Sequence, residues 1–131
     1  MNSVFVDTSA FYAFLDRDDA NHSRAHSLWE HLLVEGELVT NNYVLLETIA
    51  LVQRRLGLAA LRAFVSDILP LVRVEWVTER IHLAAVEAVL ASSRKNLSLV
   101  DCVSFQTMRD CELDEAFCFD IHFRQQGFQT L

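Results

Sequence analysis

Two aspartates follow short apolar runs directly: Asp7 after Val4, Phe5 and Val6, and Asp120 after Phe117, Cys118 and Phe119. Two further acids interrupt apolar helical stripes. In the segment after Asn42, positions 44, 47, 48 and 51 share a helical face, which sets Glu47 beside Val44 and Leu51. Near position 100, Leu97, Asp101, Phe105 and Met108 form a second stripe, and Asp101 breaks it. A carboxylate on an inward face is costly unless it is paired, protonated or bound to a metal. An ion pair with arginine is the ordinary alternative, yet positions 43, 44, 50 and 51 around Glu47 and 97, 98, 104 and 105 around Asp101 hold none. Four acids brought to one crevice form a set of hard oxygen ligands suited to Mg²⁺ or Mn²⁺. The chemistry that needs such a set is phosphodiester hydrolysis.

Thr8, Ser9 and Ser104 are near enough in sequence to these acids to hydrogen-bond carboxylates or waters, and can equally be cap or surface residues. His22 and His26 stand at i, i+4 without a third ligand in sight, which favours an exposed helix face. His122 reads as structural or phosphate-facing. Arg54, Arg55 and Arg62 are candidate phosphate contacts or a solvated face, while Trp29 and Trp76 sit in apolar patterns and are expected in the core.

The elements that must position these residues are legible as an alternation. Strands are expected at 3–6, 37–40, 72–77, 116–119 and 128–130. Helices are expected at about 9–16, 20–35, 42–56, 58–68, 79–95, 98–111 and 121–125. Ala25, Leu28, Trp29, Leu32 and Leu33 form the inner face of the second helix, which Gly36 ends. Pro70 stops the fourth helix, and Thr78 caps the fifth without a full capping box. Strands alternating with helices imply an α/β fold, a central parallel sheet between helical layers, with acids at its carboxyl edge. The 131 residues are expected to form a single domain, 1–131.

A hydrophobic share of 52% supports a sizeable core, and no apolar run approaches the ~20 residues of a membrane span. The start lacks the basic region of a signal peptide, so the cytoplasm is the expected location. Three cysteines, Cys102, Cys111 and Cys118, without C-x-x-C spacing, argue against a disulfide scaffold or zinc ribbon. The net charge of −7 opposes the usual basic footprint of a nucleic-acid binder. A carboxylate site concentrates negative charge, however, and its divalent ions reverse the local sign. Ten of the eleven basic residues are arginines, the better bidentate phosphate partners.

The segments VFVDTSAFYAFLDRDDANH, TNNYVLLETIAL, LSLVDCVSF and AFCFDIHFRQQGF, in this order, resemble the PIN-domain ribonucleases, and among them the VapC-type toxins of toxin–antitoxin pairs. The resemblance implies a three-layer α/β/α sandwich and an Mg²⁺- or Mn²⁺-dependent endoribonuclease. It also implies a homodimer inhibited by a small antitoxin protein. Position by position, Asp7, Glu47, Asp101 and Asp120 match the family's catalytic, metal-binding acids, and Thr8 or Ser9 and Asn41 match polar residues bordering the site. Many relatives carry Thr or Ser two residues before the last acid, where this chain has Cys118, so a supporting contact to Asp120 is expected to be lost.

Other readings compete with this one. An RNA-processing PIN nuclease without an antitoxin would look much the same, and a non-catalytic PIN-like binding module would keep the fold. An aspartyl-phosphate phosphatase would want an acid where Ser9 stands. A receiver domain would want a lysine late in the chain, whereas the one lysine, Lys95, precedes Asp101.

Overall fold

A computed structural model describes residues 2–92 and 97–131. Five strands, β1 (Asn2–Val6), β2 (Gly36–Asn41), β3 (Val72–Glu75), β4 (Glu115–Phe117) and β5 (Gln129–Thr130), form one sheet in the order β3-β2-β1-β4-β5. Every neighbouring pair is parallel, with Phe5 opposite Val39, Val6 opposite Phe117 and Val39 opposite Arg73. Parallel strands covered on both faces need apolar side chains pointing both ways, so the continuous run Val4, Phe5, Val6 is wholly buried.

Helices α1 (Thr8–Leu15), α2 (His22–Glu35), α3 (Asn42–Arg55), α4 (Leu58–Ala63), α5 (Glu79–Ala91), α6 (Leu99–Asp110) and α7 (His122–Gln125) complete the chain order. The main core joins Phe5, Phe11, Trp29, Val39, Phe64, Phe105, Phe117 and Phe123. A smaller one, with Ile81, Ala85, Cys102 and Val103, lies between α5 and α6. The chain runs β1, β2, β3 to one side and then returns to place β4 and β5 on the other. The order therefore reverses between β1 and β4, and the carboxyl ends of these two strands border the crevice where ligands bind in such sheets.

The strands, the helices and the parallel α/β architecture match the expectations, with differences at particular residues. Gly36 ends α2 in an extended conformation and opens β2. A Cβ there would lie 2.6 Å from the Asn2 carbonyl oxygen, so the glycine serves the close approach of β2 to β1. The helix expected over 58–68 is helical to Ile68 but changes type after Ala63, and Pro70 falls in a further short helical turn. After α4 the chain widens through a π turn at Phe64–Ile68 and then tightens into a 3-10 turn at Leu69–Leu71, whose first turn tolerates a residue without an N–H. Strand β3 ends at Glu75, which leaves Trp76 72% exposed instead of in the core. Leu33, expected on the inner face of α2, is also exposed. The expected extension of α5 to Lys95 falls partly outside the described residues. Among those described, no helix is long and apolar enough to cross a membrane.

Candidate active site

The backbone N–H of Asp7 donates to the Phe117 carbonyl at 3.1 Å, carrying the β1–β4 ladder one residue past the strand. Asp7 then caps α1, its Oδ2 accepting from the Ser9 N–H at 3.3 Å and from Ser9 Oγ at 2.8 Å. Ser9 Oγ in turn accepts from the Phe119 N–H at 2.9 Å. One serine hydroxyl thus ties the acid at the end of β1 to the segment that carries Asp120.

Asp101 is the third residue of α6 and closes a capping box. Its N–H donates to Ser98 Oγ at 3.1 Å, while its Oδ2 accepts from the Ser98 N–H at 3.4 Å. The spacing Ser-x-x-Asp makes this motif readable in the sequence. Asp120 accepts from the His122 N–H at 2.9 Å, and the His122 ring returns toward α6, with Nδ1 3.1 Å from Asp101 Oδ2 and 3.9 Å from Asp120 Oδ1. The side chains of Asp101, Asp120 and His122 are 13%, 34% and 17% exposed, so the group opens to solvent on the Asp120 side.

Burial drives the electrostatics. The Asp7 carboxyl is pushed up to about 7, first by desolvation and then by the charges of Asp120 and Asp101, against the lowering effect of Ser9. Asp101 is also raised, by burial and then by Asp120, while the Ser98 hydrogen bonds and His122 oppose the shift. Three carboxylates that feel one another in a half-buried crevice are a set a divalent cation would relieve. Ligand atoms of Asp101, Asp120 and His122 all lie within 4.8 Å of one another, and hard oxygen donors suit a divalent ion, so these residues fit a metal centre.

Glu47 is placed differently from its expected position. The inward face of α3 is Val44, Leu45, Thr48 and Val52, and Glu47 lies beside it on the exposed side. Thr48 occupies the buried position because its hydroxyl donates to Thr8 Oγ1 at 3.2 Å, and Thr8 Oγ1 in turn donates to the Val44 carbonyl at 3.4 Å. These bonds dock the start of α1 on α3. Glu47 consequently shares a shallow groove with Thr8, the neighbour of Asp7, and with Ala50, Leu51 and Arg54.

Asn41 and Ser104 are buried and engaged elsewhere. Asn41 caps α3 by accepting from the Val44 N–H at 2.8 Å, and its Nδ2 donates to Thr107 Oγ1 at 3.1 Å and Ser104 Oγ at 3.4 Å. They fasten β2 and α3 to α6. Cys118 is buried, and its thiol is pushed up to about 12 by burial and by Asp7 and Asp120, so it stays protonated. Its Sγ–H donates a weak bond to the Asp120 carbonyl at 3.8 Å, which keeps part of the support that a hydroxyl would give.

His22 and His26 do not form a metal pair. His22 Nδ1 bonds the Ala13 carbonyl at 2.9 Å, and His26 stacks on Phe14 and faces Glu30. A separate groove beside α5 and α6, lined by Leu97, Cys102, Phe105 and Arg109 among others, holds none of the four acids. Sequence reasoning missed the link of His122 to Asp101, because that contact spans 21 residues and only the fold makes it.

Residues 4–129 match the PIN domain, and the chain belongs to the PIN-domain family. It is 36% identical over 126 residues to the 23S rRNA-specific endonuclease VapC20 of Mycobacterium tuberculosis, covering 95% of each chain. It superposes on the crystal structure of M. tuberculosis VapC20, described as a sarcin-ricin loop cleaving toxin, with a TM-score of 0.86, 35% identity and 95% coverage of both chains. The fold is thus the PIN-like α/β/α sandwich, and the activity that of an endoribonuclease.

Proposed function

We propose that the chain is a VapC-type toxin that cuts 23S rRNA in the sarcin–ricin loop, using Mg²⁺ or Mn²⁺ held by Asp7, Glu47, Asp101 and Asp120. The observation that carries this reading is the gathering of Asp101 and Asp120 beside buried Asp7, at the point where the sheet order reverses. The similarity to VapC20 over nearly the whole chain supports the substrate.

A divalent ion bound there supplies an acidified water and electrostatic stabilisation of the scissile phosphate. The chain's own residues hold the geometry. Ser9 fixes Asp7 and, through Phe119, the loop of Asp120. Ser98 fixes Asp101, and the His122 N–H fixes Asp120. Glu47 shares the groove beside Thr8 with Arg54, whose guanidinium suits a neighbouring RNA phosphate.

The 131 residues act as a single nuclease domain in the cytoplasm, as a homodimer controlled by a small antitoxin. Dimerisation is supported by the exposed apolar side chains Leu46, Trp76 and Leu83. They neighbour residues that join their elements: Tyr43 bonds His82, and Asn42 Oδ1 accepts from the Val77 N–H at 2.7 Å.

Primer extension across the sarcin–ricin loop, after incubating ribosomes with the protein and Mg²⁺ or Mn²⁺, tests the substrate. A single stop within the loop is expected. Cleavage of other RNAs with that loop left intact would overturn the substrate and leave the nuclease.

A further inference from the structure

We propose that His122 is a direct ligand of the divalent ion, through Nδ1, and that it tilts the site toward Mn²⁺ over Mg²⁺. This rests on the metal reading above and adds to it a nitrogen donor outside the four acids.

Three observations converge on the ring. His122 belongs to the cluster of potential ligand atoms within 4.8 Å, with Asp101 and Asp120. Its Nδ1 lies 3.1 Å from Asp101 Oδ2 and 3.9 Å from Asp120 Oδ1. In an octahedral site with ligands at about 2.1 Å, adjacent donors stand ~3.0 Å apart and opposed donors ~4.2 Å, and both measured distances fall in or near that span. The ring is also held for the task. The His122 N–H is anchored on Asp120 Oδ1 at 2.9 Å, and the ring, 17% exposed, faces the crevice.

In the tautomer protonated on Nδ1, the ring donates to Asp101 Oδ2. In the tautomer protonated on Nε2, the Nδ1 lone pair would be free to hold the ion, and Asp101 would exchange the hydrogen bond for the cation. Imidazole is a softer donor than carboxylate and suits Mn²⁺ better than Mg²⁺, which sets the direction of the preference.

The test is electron spin-echo envelope modulation of Mn²⁺ bound to the wild-type protein. It should show coupling to a bonded ¹⁴N that changes to the ¹⁵N pattern when histidine alone is labelled. The coupling should vanish in His122→Gln and persist when each of His22, His26, His31 and His82 is replaced singly. By calorimetry, His122→Gln should weaken Mn²⁺ binding by about tenfold or more, and Mg²⁺ binding distinctly less. Should His122→Gln fail to fold, His122→Asn and the labelled wild type carry the same readout. Mn²⁺ bound without nitrogen coupling, or equal losses for both ions, would make His122 only a hydrogen-bond donor to Asp101 and overturn this proposal alone. Absence of any Mn²⁺ binding would overturn the metal reading together with it.

Discussion

At Asp7, burial of the carboxyl costs stability once it ionises. Its folded-state pKa of about 7 stands above the ordinary 3.8, so the folded protein holds this proton more tightly than the unfolded chain. Without an ion, stability is therefore lost as pH rises from about 4 to about 7 and stays lost above that, at roughly 1.4 kcal/mol per pH unit as an upper bound. Asp7→Asn, which keeps an oxygen for Ser9, should melt several degrees above the wild type at pH 8 in EDTA. The gap should close near pH 4 and narrow when Mg²⁺ is added. Scanning fluorimetry at the two pH values checks this, and a variant that melts below the wild type at pH 8 in EDTA would count against it. Ser9→Ala removes the hydroxyl that serves both Asp7 and the Phe119 N–H. A loss of roughly 1–3 kcal/mol is expected in urea unfolding, with metal affinity lowered about tenfold or more in calorimetry.

The elements carry the acids through a few polar ties, of which Asn41 is the most connected. Its side chain caps α3 and reaches Ser104 and Thr107 on α6, so Asn41→Ala should cost about 2–4 kcal/mol, combining a lost cap with unpaired buried hydroxyls. Asn41→Asp keeps the cap but not the donors and should fall between, as denaturant unfolding of the three proteins would show. The strands were legible because buried parallel strands are continuous apolar runs, as at Val4–Val6 and Phe117. The face of α3 was less so. A 3.6-residue period leaves 44/48/52 and 44/47/51 as rival stripes, and a threonine at the buried position conceals the true one until Thr8 is seen to receive its hydroxyl. Trp76 was misplaced because an apolar run continues beyond the last paired residue of β3. Asp7, Asp101 and Asp120 could be named from sequence, but the ring of His122 between two of them could not, since no local pattern records that contact.

For the whole molecule, an acidic chain acting on RNA is a matter of where the charge lies. Net charge is −7, and three of the acids share one crevice where they raise or feel one another's charge. A divalent ion there would reverse the local field, and Arg54 borders the groove beside Thr8. Leu46, Trp76 and Leu83 leave large apolar side chains exposed. Trp76→Glu should convert the proposed homodimer to a monomer in light scattering while leaving the circular dichroism unchanged; a dimer that persists would move the interface elsewhere, and a monomeric wild type would remove it. The central claim is that the carboxylate cluster performs the cleavage. The most direct measurement follows RNA cleavage by wild type and Asp101→Asn, each with Mg²⁺ or Mn²⁺ and with EDTA. Cleavage is expected from the wild type only with the divalent ion present, with a fall of at least a hundredfold in the variant, whereas equal rates for the two proteins, or cleavage undiminished in EDTA, would show that these carboxylates do not perform it.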